Sequence, residues 1–414
     1  MRKFFHIKKT DIFILSFFVV LFILIRSIYY LNSFNFVFDQ VTSSTAVLDM
    51  WRNRSFTLIG PPLSFSIEGR QIFFGGISYY IQLIFLLLGK FDPFWSAYIF
   101  MLFSAIMCIP LYIGIKRLIN QNAAIICVLL YCLLPFSIES TTTLWNPYFQ
   151  YALLPLFIFL LSLLQKRSSP FIFFIMSVLN GVLFQLHYMH IFTILGLGIY
   201  FFAVKKLSWS YGLLYVLGLC IGITNLILFE IRHGFYNLQT ILFYLSRSNQ
   251  LGSHWLSLYY IQTELFFLTI IFIFFIRKFI TSKIVIAFFI VLLTLSIPFI
   301  TVTAQAMRYP KNWSYQDEIY AYSIIKKNLQ TYKNFNIFEF YIAKGETLKY
   351  FLKKDGIFID FNDYYHNKHL YVVYHDNSFL KDPAYEVNSF QPSEIVLIWK
   401  INNFYSLYLL KRSK

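Results

Sequence analysis

The sequence predicts an all-α polytopic membrane protein of about nine transmembrane helices, followed by a small C-terminal α/β domain. Three observations predict it. Hydrophobic residues make up 58% of the chain and charged residues only 13%, where a soluble domain carries about 25% charged. Apolar runs near the ~20-residue length of a bilayer-crossing helix recur from Asp11 to Val302. From Gln305 onward charges become frequent and the runs shorten. A soluble fold, a disordered chain and a coiled coil are excluded by that charge deficit. The short alternating segments of a transmembrane β-barrel are not seen.

The first apolar run, residues 11–31, follows MRKFFHIKK and lacks small residues at a cleavage site, so it reads as an uncleaved anchor. Residues 32–92 form a long outer loop. Within it Ile77–Leu88 is too short to span comfortably. It reads as a helix lying in the membrane interface, with Tyr79 and Tyr80 at headgroup level. The remaining spans follow in order: Pro93–Ile115, Asn122–Ile138, Phe149–Leu164, Pro170–Leu186, a sixth ending at Lys205-Lys206, Tyr211–Leu228, about Trp255 to Ile276, and Ile284–Val302. This arrangement keeps the basic clusters inside: the N-terminal lysines, Lys116-Arg117, Lys166-Arg167, Lys205-Lys206 and Arg277-Lys278. The net charge of +16 is therefore a topology signal and not a nucleic-acid footprint. It places the N-terminus in the cytoplasm and the C-terminal domain outside a multi-pass cell membrane.

The acids test that arrangement, because they were not used to build it. Asp39, Asp49, Glu68, Asp92, Glu139 and Glu230 all fall on the outer side, Glu264 near the outer end of the eighth span, and Asp11 inside. Carboxylates at membrane depth are costly and usually functional, so any chemistry belongs at the outer face. Residues 1–304 are then a transmembrane catalytic domain and 305–414 an extracytoplasmic α/β domain. In the latter, 315–330 reads as an amphipathic helix, and IFEFYIA, HLYVVYH, EIVLIWKI and FYSLYLL read as strands.

Asp39, in Phe38-Asp39-Gln40, lies just after the first span. Apolar walls disfavour its charged form and make it a usable base toward an acceptor hydroxyl or amine. Its bland counterpart is a solvated loop aspartate. Ile59-Gly60-Pro61-Pro62 and Phe74-Gly75-Gly76 read as turns. Trp145-Asn146-Pro147-Tyr148 reads as an interfacial aromatic followed by a helix start. Gln185-Leu186-His187-Tyr188 and His190 are polar at the end of the fifth span. Two histidines at i, i+3 lack a third metal ligand, so hydrogen-bonded lining is the expectation. Glu230 and Arg232 lie just beyond the seventh span, and an arginine there can grip phosphate in two-point fashion. Arg26, within the first span, is expected to snorkel to the interface. The four cysteines lie in apolar runs and imply no disulfide framework. His366, His369 and His375, with Asp360 and Asp363, read as solvated surface. No P-loop, no GxGxxG after a strand and no GxSxG occurs.

Six blocks follow in order: FDQ, LIGPP, FFGGISYY, LWNPY, FQLHY and LFEIRHGF. In this order the chain resembles the membrane-embedded GT-C glycosyltransferases, in the branch of protein O-mannosyltransferases and the lipid A aminoarabinose transferase. The resemblance covers roughly Phe38–Phe235 and leaves the C-terminal third unmatched. It implies a sugar donor carried on a polyprenyl phosphate, transfer at the outer face, and Asp39 as the base that activates the acceptor. It also implies substrate contacts by Gln40, Arg70, Tyr79, Tyr80, Trp145, Asn146, His187, Tyr188, Glu230 and Arg232. Relatives often carry a second Asp before the fourth span, where this chain has Asn146, and GP before the paired tyrosines, where it has Gly76-Ile77-Ser78. Sugar and acceptor (glycan, lipid or protein) stay open. No cofactor is required, a divalent metal is allowed by the chemistry, and nucleic acid is not an expected partner. The competing classes are a flippase or transporter of lipid-linked sugar, which would show repeated halves, and a non-catalytic membrane scaffold.

Overall fold

The computed structural model describes residues 8–63, 66, 68–166, 169–205, 207–246, 258–301, 309–341, 344–360, 363–381 and 384–413. They are mostly helical, with a small sheet near the C-terminus. The chain divides into two compact units. One joins Met1–Ser33 to Asn53–Thr303, and the other joins Phe34–Arg52 to Ala304–Lys414. Residues 34–52, the first third of the predicted outer loop, thus belong with the C-terminal residues.

Helix α1 (Lys9–Ser33) opens the first unit, and α2 (Asp39–Arg52) lies in the second. Strands β1 (Ile59–Pro62) and β2 (Phe73–Gly75) pair antiparallel, Ile59 opposite Gly75. The IGPP and FGG segments, expected as turns, are therefore mainly a hairpin-like pair. Proline is tolerated in β1 because that strand has a single neighbour and an open edge. Then come α3 (Ile77–Leu88), α4 (Pro93–Ile106), α5 (Cys108–Leu118), α6 (Gln121–Leu133), α7 (Pro135–Ser140), α8 (Asn146–Lys166) and α9 (Pro170–Leu186). A 3₁₀ turn at Tyr188–His190 leads into α10 (Ile191–Ile199), which ends in a π-helical turn, Tyr200–Val204. Helices α11 (Trp209–Gly222), α12 (Thr224–Arg232), α13 (Tyr236–Ser246), α14 (Leu258–Ile276) and α15 (Ser282–Thr301) complete the unit.

Local chemistry explains the boundaries. Helix α6 stops at Leu133 because Pro135 denies an N–H to the turn behind it and pushes Leu134 to extended backbone. Helix α4 starts on Pro93, with Asp92 accepting from the Trp95 amide at 3.1 Å. Among the described residues, Lys9–Leu31, Pro93–Leu118 and Asn146–Gln165 are long and apolar enough to cross a membrane. Helices α11 and α12 make a fourth if their pair, bent by 70°, is one span. The other predicted spans coincide with shorter apolar helices. The start of the eighth, residues 255–257, and the end of the ninth at Val302 lie outside the described residues.

Arg26 does not snorkel. It is fully buried in α1. Its Nε donates to Thr141 Oγ1 at 2.6 Å, Nη1 to the Cys132 carbonyl at 2.6 Å, and Nη2 to the Tyr131 carbonyl at 2.8 Å and Ser137 Oγ at 3.3 Å. The break at Pro135 leaves those two α6 carbonyls without helical donors, and the guanidinium fork supplies them. Phe22 packs its ring against the same guanidinium at 3.5 Å. Helices α9 and α11 meet through small residues. A Cβ on Gly222 would stand 2.3 Å from the Val178 carbonyl oxygen, and one on Gly218 would stand 2.6 Å from Ser177 Cβ.

The second unit contains α16 (Tyr315–Asn328), β3 (Phe335–Glu339), α17 (Glu346–Lys354), β4 (His369–Tyr374), α18 (Tyr385–Asn388), β5 (Ser393–Lys400) and β6 (Ser406–Arg412). The sheet order is β3-β4-β6-β5, with β3 parallel to β4 and the other neighbours antiparallel. Ser314 and Asp317 close a capping box at the start of α16. Ile337, Tyr371, Val373, Leu407 and Leu409 face α16 and α17 through Ile325, Leu348 and Leu352. Phe338, Leu370, Val372 and Leu410 form a separate core on Phe379, Val387 and Phe390.

Candidate functional site

Five of the six sequence blocks converge within the first unit, across separations of more than a hundred residues. Strand β2 is the meeting point. One edge pairs with β1. At the other, Phe73 is gripped by Asn237 of α13, whose Oδ1 accepts from the Phe73 amide at 3.0 Å and whose Nδ2 donates to its carbonyl at 3.2 Å. Tyr188 donates its hydroxyl to the same carbonyl. The Phe74 ring lies 5.5 Å from that of His187 and 5.1 Å from that of Tyr188. Gly75 passes so close to α9 that a Cβ there would sit 2.0 Å from Gln185 Oε1. Gln185 in turn donates to the Gly222 carbonyl. Asn146 Nδ2 donates to the Leu186 carbonyl at 3.0 Å, and Gln150 Nε2 to those of Leu183 at 3.2 Å and His187 at 3.4 Å. These amides add to the backbone donors that the Leu183 and His187 carbonyls already have, from the His187 amide at 3.2 Å and the His190 amide at 3.1 Å, and so tie α8 to the end of α9.

Several predicted contact residues hold this scaffold together. Tyr80 donates to the Thr57 carbonyl at 2.8 Å and accepts from its amide at 3.1 Å, fixing the chain ahead of β1. Glu230 caps α13, accepting from the Asn237 amide at 3.1 Å and the Leu238 amide at 3.2 Å. Its carboxylate is a structural acceptor. Trp145 is buried and meets Tyr148 edge-on at 5.0 Å. Tyr79 is half-buried on α3. Arg70 and Arg232 are exposed. The Arg70 guanidinium lies 4.7 Å from the Phe243 ring centre, while its carbonyl accepts from Tyr244 Oη at 2.6 Å. Both cations thus stand on segments tied to β2, the 70–75 strand approach and the α12–α13 corner.

Asp39 and Gln40 do not belong to this unit. They form the first turn of α2 in the second unit, where Asp39 is half-buried and Gln40 buried. Phe38, just before it, holds a left-handed φ of 48°, which bends the chain sharply into the helix.

A further polar layer gathers around His190, which the sequence reads as hydrogen-bonded lining. His190 Nε2 lies 2.7 Å from Asn180 Oδ1, and its Nδ1 lies 3.6 Å from Glu264 Oε1. Asn180 donates to Tyr215 Oη at 3.0 Å, and Tyr215 donates to the Ile194 carbonyl at 2.9 Å. Ser140 donates to Gln262 Oε1 at 2.8 Å. The signal was present as Gln262-Thr263-Glu264, three polar residues on one apolar helix. Among the described residues no three His, Cys, Asp or Glu side chains are gathered as a metal site. His187 accepts from the Met189 amide at 3.4 Å, a capping contact for the 3₁₀ turn. Comparison with protein-family models, with curated proteins and with solved structures finds no match to the chain.

Proposed function

We propose that this protein is an integral-membrane glycosyltransferase that moves a sugar from a polyprenyl-phosphate donor to an acceptor at the outer face of the cytoplasmic membrane. One observation carries the reading: blocks that resemble the GT-C glycosyltransferases in sequence order also assemble in space around β2, from β1, α8, the α9 end and the α12–α13 corner. A scaffold protein has no need to gather a buried amide network around one strand, with an exposed arginine on each of two segments tied to it, Arg70 ahead of β2 and Arg232 at the end of α12.

The reading gives each group a task. The Asp39 carboxylate takes the proton of the acceptor hydroxyl or amine as the new bond to the sugar's anomeric carbon forms. The bond from that carbon to the phosphate oxygen breaks, and polyprenyl phosphate leaves with the electron pair. Arg70 and Arg232 are assigned to the phosphate, whose charge they compensate. A lipid phosphate is already a leaving group, so no nucleotide-binding motif is needed. Purified protein in liposomes should release radiolabelled sugar from polyprenyl-phosphate donors to acceptor or water, and should leave nucleotide sugars untouched. Transfer directly from a nucleotide sugar would refute the donor class. Relocation of intact donor across the bilayer without cleavage would identify a flippase instead.

A further inference from the structure

The second unit is built around the helix that carries Asp39. Helix α17 touches α2 along its length. Ahead of Asp39, the Phe36 carbonyl accepts from Thr347 Oγ1 at 3.2 Å and from Tyr309 Oη at 3.4 Å. The Phe36 ring is buried, 5.0 Å from Tyr350 and 6.3 Å from Phe351. Phe34 meets Tyr315 of α16 edge-on at 4.8 Å. One turn past Asp39, Thr42 Oγ1 donates to Glu346 Oε2 at 3.3 Å. At the far end, Arg52 donates Nη1 to the Lys353 carbonyl and Nη2 to the Lys354 carbonyl, the latter at 2.7 Å. Those carbonyls end α17, where that of Lys353 also accepts from the Gly356 amide at 2.9 Å, so the planar fork completes the cap of one helix while anchoring the other. Lys353 Nζ bonds Asp49 Oδ2 at 2.6 Å. That pair is partly exposed and adds little by itself. The start of α17 is fixed too. Gly345 holds a left-handed φ of 61°, and a Cβ there would stand 2.6 Å from Ile337 Cγ2 of β3.

We propose that the C-terminal unit is the positioning platform of Asp39, with Arg52 as the positioning residue that locks α2 onto α17. This rests on the glycosyltransferase reading above. A base contributes its full effect only when held within a fraction of an ångström of the proton it takes, and misplacement by about 1 Å costs ~10²-fold. Helix α2 is short and polar, and helices of that length are marginal on their own. Its order comes from the Phe36 anchor, the Thr42–Glu346 bond and the Arg52 fork.

Full-length protein in liposomes, carrying Arg52→Ala or Arg52→Lys, tests this with two readouts. Hydrogen exchange over residues 39–52 should accelerate in Arg52→Ala, with exchange in β4 and β6 unchanged. Sugar transfer should lose about 10–100-fold in kcat with donor KM unchanged. Arg52→Lys keeps a donor for one carbonyl and should fall between. Unaltered exchange in Arg52→Ala overturns the anchoring role, and accelerated exchange with undiminished kcat overturns the positioning role. Loss of protection in β4 and β6 as well would make Arg52 a general stability residue and also overturn it. An Asp39→Asn variant that transfers sugar normally would instead refute the assignment of the base.

Discussion

Arg26 shows what a buried charge does in this chain. Its guanidinium replaces the hydrogen bonds that Pro135 removes from α6, and so joins α1 to the α6–α7 break. Arg26→Met keeps length and apolar volume but strips its donor from the buried Cys132 carbonyl, at a cost of about 1–3 kcal/mol for the group left unpaired, while the Tyr131 carbonyl keeps Ser137 Oγ at 2.6 Å. The variant should melt well below the parent in detergent. Arg26→Lys should recover part of the loss, since an ammonium offers donors without the planar fork. A Met variant as stable as the parent would mean that α6 finds other partners. The residue was visible in the sequence as an arginine inside an apolar run. Its burial was not, because nothing local records that a proline more than a hundred residues away frees the carbonyls it binds. Glu230 is a parallel case: a charged residue after an apolar helix reads as a site, whereas the folded chain uses both oxygens to cap α13.

At the scale of elements, apolar runs bounded by glycine or proline were readable. Ile77–Leu88 and Pro170–Leu186 are helices at the expected residues, and four C-terminal strands overlap the expected ones, though β3 runs Phe335–Glu339 where 337–343 is expected, and residues 342–343 lie outside the described residues. Helix α2 was not legible, because DQVTSSTAVLDMWR has little apolar periodicity of its own and is stabilised by α17. The close α9–α11 approach was encoded as Gly218-Leu219-Cys220-Ile221-Gly222, a small-xxx-small pattern that hydropathy alone passes over. Elements α16, β3 and α17 also bury charge. Glu318 accepts from Trp313 Nε1 at 2.9 Å, and burial pushes its carboxyl up to about 8. Burial raises the Glu339 carboxyl well above its usual range, with Glu318 beside it adding to the rise. Burial lowers the Lys349 ammonium to about 7. The folded unit therefore holds protons on these carboxyls that the unfolded chain releases from about pH 4.5 upward. Their contribution to stability is complete in acid and declines as pH rises toward 8. Lys349 is protonated in both states near pH 5 but loses its proton in the folded unit as pH approaches 7, which offsets part of the decline. His369, lowered by burial, also works against that decline. Protection of β3 and β4 from hydrogen exchange, corrected for intrinsic rate, should thus fall from pH 5 to 7 by more in the parent than in Glu318→Gln/Glu339→Gln. Equal slopes in the two would show that the carboxyls carry no such linkage.

For the whole molecule, sequence charge and fold describe different things. Basic pairs at the ends of apolar runs predict orientation, with Lys278 inside and the C-terminal unit outside. In a cysteine-free background, an impermeant thiol reagent added to intact cells should label Phe358→Cys and spare Lys278→Cys, and the reverse pattern would invert the topology. The division of the chain into units was hidden from the sequence, because residues 34–52 join partners some three hundred positions away. The central claim is that Asp39 is the base of a sugar transfer from a polyprenyl-phosphate donor. The most direct measurement compares single-turnover transfer by the parent, Asp39→Asn and the exposed control Asp376→Asn, at saturating donor. The account predicts that Asp39→Asn binds donor as the parent does and transfers about 10²–10⁴-fold more slowly, while Asp376→Asn matches the parent. An Asp39→Asn protein that transfers sugar at the parental rate would contradict it.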